Sequence, residues 1–260
     1  MLKILKEDDV KFKGVEYYVS LKTKWNKDFY GLLWRDRYSS KLSVGACVWL
    51  CENMNPSSYE DFYRKYIESG DIDKDRGPKY RGRTCEEIEE IAIRWRTECG
   101  DYETPLSEYY DAIVLHTVVE TYMGKDFEDK AISCLEENGY AVEHGDDTED
   151  SLMNIDMKVY KDGKLVFLMQ VKPISFIVSD KLHTKRDRIN AFEKHEAGHE
   201  KYPGIPYKYL IYDPSTNKWI YNKEKERCLF SYDELVHRNG KSVRSAYAMK
   251  KYETDTLFRK

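Results

Sequence analysis

The stretch from residue 154 to 173, N-I-D-M-K-V-Y-K-D-G-K-L-V-F-L-M-Q-V-K-P, constrains the fold more than any other part of the chain. Two runs of alternating apolar residues flank Lys161-Asp162-Gly163, and this arrangement predicts a β-hairpin. A three-residue turn would form four pairs: Tyr160 with Lys164, Val159 with Leu165, Met157 with Phe167, and Ile155 with Met169. We expect this register, with its apolar face toward the core, because a two-residue turn would slip it by one and mix the two faces.

The other face of this hairpin would carry a group of polar side chains at one end: Asn154, Asp156, Gln170 and Lys172, together with Leu168. Carboxylate and amide oxygens are hard ligands that suit Mg²⁺. A lysine beside them is able to orient or deprotonate a water molecule, or to stabilise the charge of a phosphorane. The alternative is an ordinary amphipathic hairpin whose polar residues face solvent.

Composition limits the class of protein. A chain of 260 residues forms one large domain or two small ones, and 35% of its residues are charged. The sequence contains no apolar run of membrane-span length and no apolar stretch near its start that is typical of a signal peptide. The six cysteines include no C-x-x-C pair. We therefore expect a cytoplasmic protein with reduced thiols and no membrane partner.

Charge is distributed unevenly around a net value of −4. Residues 126–156 hold eleven acids and one lysine, whereas residues 74–83 hold five bases and one acid. Local phosphate binding is therefore compatible with an acidic total. The candidate DNA-binding residues are Arg76, Lys79, Arg81 and Arg83 in the basic loop, and Lys181, Lys185, Arg186 and Arg188 farther along. A solvated loop is the alternative for the first group.

Turn and capping signals divide the chain into elements. Weak alternation in residues 1–24 predicts one or two strands, and Thr84 is expected to cap a helix over 85–97. Pro105 is expected to open a helix that Gly124 interrupts, and a second helix is expected from 127 to 138. A strand from Tyr140, the hairpin, a helix near 180–202 and strands at 207–212 and 219–221 follow. The order from 127 onward is α-β-β-β-α-β, with one more strand after it.

This order, with Asp156 on one strand and Q-V-K at 170–172 on the next, resembles the core of the PD-(D/E)XK nucleases. In that family an acid on one strand is followed by (D/E)-x-K on its neighbour. Gln170 stands in place of the second acid, a variation that also occurs in the Mrr-like branch. The Q-V-K-P-I-S-F run and the upstream G-R-T-C-E-E-I segment are most similar to the MjaI-type restriction enzymes. The core resemblance covers roughly residues 120–221.

The resemblance implies an α/β (α+β) fold, with a mixed central sheet flanked by helices. It implies a mainly helical region for DNA recognition and dimerisation over residues 1–105, and a nuclease core with a C-terminal extension over 106–260. The implied activity is Mg²⁺-dependent hydrolysis of double-stranded DNA at a short palindromic site. The implied partners are a second copy of the chain in a homodimer and, genetically, a cognate DNA methyltransferase.

The same resemblance assigns roles within the site. Asp156 and Gln170 would hold Mg²⁺, with the backbone carbonyl of Val171 as a further ligand, and Lys172 would position or activate the attacking water. In this family a glutamate on the first core helix often assists. Glu128 fits that position because it lies four and seven residues before the apolar residues Ile132 and Leu135. Glu120 is the alternative.

Two other functions remain open. The segment His195-Glu196-Ala197-Gly198-His199 matches H-E-x-x-H, in which two histidines on one helical face bind Zn²⁺ in metallopeptidases. Its charged neighbours and Gly198 are instead typical of an exposed helix end. The third possibility is a nuclease-fold protein that binds DNA without cleaving it, because Gln170 replaces an acid.

Overall fold

The computed structural model describes residues 5–24, 47–72, 81–174, 185–214, 216–222, 228–231 and 252–255. The chain divides into two compact units, Met1–Lys125 and Asp126–Lys260. The division lies inside a continuous helical stretch, so the helix Leu106–Val114 belongs to the first unit. The expected recognition region, 1–105, and nuclease core, 106–260, remain predictions.

The described part of the first unit is helical. Its elements are a 3₁₀ turn at Glu7–Asp9 and the helices α1 (Val15–Lys24), α2 (Cys47–Met54), α3 (Tyr59–Ile72), α4 (Cys85–Cys99) and α5 (Leu106–Val114), followed by a π-helical turn at Leu115–Val119. The prediction of strands within 1–24 is wrong for the described residues. Tyr18 and Leu21 are both buried and lie three residues apart, which is the spacing of a helical face.

Helix α4 confirms the predicted cap. The Thr84 hydroxyl accepts a hydrogen bond from the Glu87 N–H at 3.2 Å, and the Glu87 carboxylate accepts one from the Thr84 N–H at 3.1 Å. The apolar face that begins at Ile88 and runs through Ala92 to Trp95 is buried. The local sequence was sufficient here because a capping box satisfies the first N–H groups without any distant contact.

Helix α6 (Glu120–Glu137) crosses from the first unit into the second. The predicted interruption at Gly124 is wrong, because the helix continues through this glycine. Buried side chains recur every four residues across it, at Met123, Phe127, Ala131 and Leu135. One glycine costs a helix only ~1 kcal/mol, which the packing of this face exceeds.

The second unit is built on a mixed, mostly antiparallel sheet. The strands are β1 (Ala141–His144), β2 (Met157–Lys161), β3 (Lys164–Pro173), β4 (Tyr207–Asp213), β5 (Lys218–Asn222), β6 (Leu229–Phe230) and β7 (Tyr252–Asp255), and the helices after α6 are α7 (Asp147–Met153) and α8 (Lys185–Lys201). The strand order is β1-β2-β3-β4-β5-β7, and β6 also pairs with β4. Only β3 and β4 are parallel among the described pairs. The expected α/β class with a helix-flanked mixed sheet is confirmed.

The hairpin forms with a different turn from the one expected. Asp162 and Gly163 both have positive φ, 51° and 73°, and make a two-residue turn. A bulge between Val159 and Tyr160 then shifts the register, so that Val159 lies opposite Phe167. The predicted three-residue turn is wrong, but the bulge keeps Met157, Val159, Phe167 and Met169 on one face, as predicted. Ile155 instead packs in the apolar cluster that contains Leu168, which was predicted on the opposite face.

Both faces of the sheet are covered. On one face the Phe127 ring of α6 stacks on Tyr212 with centroids 3.9 Å apart. On the other face lies an apolar cluster that includes Leu168 and Tyr207, and Gly198 of α8 packs against the Tyr207 ring. Of the polar residues of the hairpin, Asp156 and Gln170 are buried, whereas Lys172 keeps part of its surface exposed. No described helix combines the length and the apolar content that crossing a bilayer requires.

Candidate active site at the open end of the hairpin

Asp156 lies just before β2, where the ladder with β3 ends. Its backbone N–H donates to the Met169 carbonyl at 3.0 Å, and its Oδ2 accepts from the Val171 N–H at 2.7 Å. The carboxylate therefore occupies the place of the next backbone carbonyl in the ladder. Burial raises the pKa of Asp156, while the Lys172 charge and the Val171 N–H oppose that rise.

Lys172 reaches this carboxylate from β3. Its Nζ lies 3.7 Å from Asp156 Oδ1, and its side chain keeps 29% of its surface exposed, against 6% for Asp156. Alternation along β3 places Lys172 on the same face as Gln170. Lys172 thus lies between the buried carboxylate of Asp156 and solvent. A phosphate or a water molecule is able to approach it there.

Gln170 is 1% exposed and forms a side-chain hydrogen bond with Asp156 that lowers the pKa of the acid. Its Oε1 has no hydrogen-bond partner among the described residues, so the amide N–H₂ is the donor to Asp156. A buried acceptor without a partner costs ~1–3 kcal/mol, and such atoms are usually satisfied by a bound ion or water. An amide oxygen beside a carboxylate fits the oxygen donors that Mg²⁺ prefers.

Glu128 is partly buried on α6, and the charges of Asp156 and Lys172 act on its carboxyl group. Burial, and then the Asp156 carboxylate, raise the pKa of Glu128 to about 8, and Lys172 opposes the rise. The alternative, Glu120, lies in the first unit and makes a 2.6 Å contact with His116 Nδ1. Of the two glutamates, Glu128 is therefore the one placed within electrostatic reach of Asp156 and Lys172.

Two further groups border the site. The Val171 carbonyl leaves β3 on the same side as its N–H, which is bound to Asp156, because the two groups of one strand residue point to the same edge. Asp150, an exposed acid on α7, contributes to the raised pKa of both Asp156 and Glu128. Sequence analysis missed Asp150 and its helix, although Asp146 and Glu149 have the spacing of a capping box.

The described residues contain no group of three or more His, Cys, Asp and Glu side chains close enough to hold a metal ion. A metal at this site would therefore depend on the Gln170 amide and the Val171 carbonyl in addition to Asp156, with water completing its shell. Mg²⁺ suits such a set, because it commonly keeps several waters and binds one or two carboxylates.

A buried ionic network, here called the Glu149 network, supports the segment that carries Asp156. Glu149 is 1% exposed; its Oε1 accepts from Lys201 Nζ at 2.7 Å and from the Tyr202 hydroxyl, and its Oε2 lies 3.1 Å from Lys158 Nζ. Lys158 also pairs with Glu143 at 2.7 Å. The network ties β1, β2, α7 and the end of α8 together.

The basic residues that were predicted to bind DNA do not all lie in the described part of the structure. Arg76, Lys79 and Lys181 lie outside the described residues, and Lys185, Arg186 and Arg188 lie near the start of α8. Arg81 and Arg83 are buried, and Arg81 forms a two-pronged pair with the Glu87 carboxylate, with both N–O distances at 2.7 Å. These contacts give both arginines a structural role in holding their segment to helix α4.

The histidines of the H-E-x-x-H segment share one face of α8. Their Nε2 atoms are 3.0 Å apart, whereas Glu196, between them in sequence, is exposed. No third His, Cys, Asp or Glu joins them among the residues that the structure describes. The three-ligand zinc centre of a metallopeptidase is thus incomplete in this part of the chain.

Comparison with protein-family models, with curated proteins and with solved structures finds no match to this chain.

Proposed function

We propose that this chain is a Mg²⁺-dependent, site-specific endonuclease of the PD-(D/E)XK type, which hydrolyses double-stranded DNA as type II restriction enzymes do. The observation that carries the proposal is the pairing of Asp156 and Lys172 at 3.7 Å across two adjacent strands. The buried, unpartnered oxygen of Gln170 lies between them in the chain and supplies the second hard donor.

The arrangement of elements supports this function. The succession α6, β1, β2, β3, α8, β4 has the α-β-β-β-α-β order of the nuclease core, with α7 inserted between β1 and β2. The acid lies at the end of one strand and the Q-x-K run on the next, as in that family. The parallel pairing of β3 with β4 follows from α8, which connects them.

Each side chain has a role that follows from its environment. Asp156, Gln170 and the Val171 carbonyl would hold Mg²⁺. When bound, the ion would lower the pKa of a water molecule and neutralise phosphate charge. Lys172, which is partly exposed, binds the phosphate or orients the attacking water. Glu128, with its pKa of about 8, is suited to accept a proton near neutral pH.

The proposed partners are double-stranded DNA and a second copy of the chain. A homodimer with two-fold symmetry matches a palindromic site, because each subunit then cleaves one strand of an equivalent half-site. A cognate DNA methyltransferase would protect the same sequence in the host. Light scattering of the chain in solution tests the dimer independently of any activity.

Plasmid digestion tests the proposal. We expect Mg²⁺ to convert several supercoiled DNAs into discrete fragments with the wild-type chain and with Lys164→Ala, but not with Lys172→Ala. Lys164 is a matched control because it is an exposed lysine on the same strand, β3, far from Asp156 in the register.

Two outcomes would contradict the proposal. Equal cleavage by Lys172→Ala and the wild type would show that this site does not catalyse the cleavage. Intact plasmid with every protein and every DNA would exclude endonuclease activity. Mg²⁺-dependent DNA binding would then identify an inactive nuclease fold.

A further inference from the structure

The pair His195 and His199 has a geometry that the proposed nuclease site does not explain. The two imidazoles lie one turn apart on α8, with their Nε2 atoms 3.0 Å apart and their rings at 90°. The ring centroids are 4.5 Å apart. A straight N–H···N hydrogen bond at this separation would place the centroids about 5.3 Å apart, because both rings would lie along the bond. The rings are therefore tilted away from a straight hydrogen bond, and the two Nε2 atoms are near enough to each other to bind one ion.

The separation of the two nitrogens is compatible with a shared metal ion. Imidazole nitrogens bind divalent transition metals at about 2.0–2.1 Å, and two of them 3.0 Å apart subtend an angle of about 95° at the ion. Rings that point at such an ion would have their centroids about 4.7 Å apart, close to the observed 4.5 Å. Imidazole ligands suit the late first-row divalent ions, and among these Ni²⁺ and Cu²⁺ bind such sites tightly.

The surroundings hold the pair in place while leaving access to solvent. His195 is 8% exposed and its ring lies 4.8 Å from that of Tyr207, whereas His199 is partly exposed. Gly198 allows this close approach, because a Cβ there would lie 3.2 Å from the Tyr207 ring. The buried histidine is thus fixed by packing, and the open positions of an ion would face the side of His199.

We propose that His195 and His199 form a second metal site, which binds one late divalent transition-metal ion of the Ni²⁺ or Cu²⁺ type. The site is chemically distinct from the oxygen-lined site at Asp156, because imidazole is a poor ligand for Mg²⁺ and a good one for these ions. The two sites share one residue as a support. Tyr207 packs against His195, and its hydroxyl donates to the Met153 carbonyl at 2.7 Å and to that of Asn154, two residues before Asp156.

Calorimetric titration of the full, untagged chain with NiCl₂, without Mg²⁺, tests the proposal. We expect one equivalent of Ni²⁺ to bind, with affinity at least tenfold lower in His195→Ala and in His199→Gln. His144→Ala removes an exposed histidine from β1 and is the matched control, which we expect to bind as the wild type does. Asp156→Asn is expected to retain Ni²⁺ binding, because it alters only the oxygen-lined site.

Electron paramagnetic resonance of the Cu²⁺ adduct supplies a readout that does not depend on affinity. The expected spectrum shows two coordinated imidazole nitrogens in the wild type and one in His199→Gln, which retains His195. Circular dichroism of each variant separates loss of the ligand from loss of the fold. Unchanged Ni²⁺ binding in both histidine variants, or loss of binding in Asp156→Asn alone, would overturn the second site.

Discussion

Gln170 is the residue at which this chain departs from the nuclease pattern. An acid at this buried position would lie beside Asp156, and two adjacent carboxylates repel each other unless a cation or a proton intervenes. The amide removes that repulsion and donates a hydrogen bond to Asp156, but it leaves Oε1 without a partner among the described residues. At the proposed metal site, the amide therefore exchanges charge for stability of the metal-free protein.

Gln170→Glu should add charge at the proposed metal site and lower the stability of the metal-free protein. We expect the metal-free variant to be less stable than the wild type by ~2 kcal/mol at pH 8, because it buries a second carboxylate beside Asp156. Mg²⁺ should raise its melting temperature more than that of the wild type, since ion binding supplies the missing charge. Thermal melts with Mg²⁺ and with EDTA measure both effects. A Mg²⁺-induced shift equal to that of the wild type would exclude position 170 from the ion's shell.

Glu128 predicts a pH dependence of stability. Its pKa of about 8 in the folded protein is above the ordinary value of 4.5, so the folded state retains a proton that the unfolded state loses between these values. The contribution of Glu128 to stability therefore decreases as pH rises from about 4.5 to 8. Glu128→Gln should remove this loss and be more stable than the wild type by at least ~1 kcal/mol at pH 8.5. Urea unfolding at pH 5 and pH 8.5 measures the difference, which should be much smaller at the lower pH.

At the scale of elements, the hairpin shows what a sequence pattern determines. Alternation predicted that Asp156, Gln170 and Lys172 share a face. Contacts bring the three side chains together, because Gln170 hydrogen-bonds to Asp156 and Lys172 Nζ lies 3.7 Å from it, although the turn and the bulge were not expected. Alternation in the sequence indicates only which of the two sheet faces a side chain is on. Turn length and bulges depend on the pairing of both strands, and a register shift of two residues leaves each paired side chain on the same face.

The burial of these side chains was harder to predict than the sheet face on which they lie. The alternative with solvent-facing polar residues is wrong for Asp156 and Gln170, which are buried, and α8 packs on the same sheet at Tyr207, as the contact with Gly198 shows. The sequence of the hairpin contains no information on a helix that is more than ten residues away. The same limit explains α6, where burial of Met123 and Phe127 on either side of Gly124 outweighs a local break signal.

Two glycines should respond in opposite ways to a methyl group. A Cβ at Gly145 would lie 2.1 Å from the Ile155 carbonyl, and the Gly145 N–H donates to the Asp156 carbonyl at 2.9 Å. Gly145→Ala should therefore cost at least ~2 kcal/mol and displace the segment that carries Asp156. Gly124→Ala, in open space on α6, should stabilise the protein by ~0.5–1 kcal/mol. Chemical denaturation of both variants measures these values, and equal effects would contradict the close approach at Gly145.

The Glu149 network predicts a loss of stability in acid. Burial alone would raise the pKa of Glu149, but hydrogen bonds from Lys201, Tyr202 and the Asp146 N–H lower it to about 2. The stabilisation is therefore complete above the ordinary pKa of 4.5 and is lost as pH falls from there to about 2. Glu149→Gln should lower the free energy of unfolding by ~3 kcal/mol at pH 7. Its difference from the wild type should narrow at pH 3, and a difference that stays constant with pH would contradict the ionic origin.

At the scale of the whole molecule, the sequence predicted the class of fold, a mixed sheet flanked by helices. The signal at Pro105 marks the start of a helix correctly, whereas the two compact units meet at residues 125 and 126, inside a later helix. The proposed recognition and nuclease regions remain predictions. The expected role of 74–83 in DNA recognition remains a prediction, because residues 73–80 lie outside the described part.

The charge of the whole chain leads to a final prediction about DNA binding. With a net charge of −4 and an acidic site, the protein should bind DNA poorly unless a cation neutralises the carboxylates near Lys172. We expect Lys172→Ala, which should not cleave, to bind short duplexes of random sequence at least tenfold more tightly in Mg²⁺ than in EDTA at equal ionic strength. Fluorescence anisotropy measures this ratio.

The matched control for that measurement is Asp156→Asn combined with Lys172→Ala. It removes the negative charge that the ion would neutralise, so its affinity should rise in EDTA and depend little on Mg²⁺. Equal Mg²⁺ dependence in both proteins would place the cation away from Asp156. Binding that does not change with Mg²⁺ in either protein and weakens only with salt would instead identify contacts of basic side chains with phosphate as the source of affinity, since those contacts follow ionic strength.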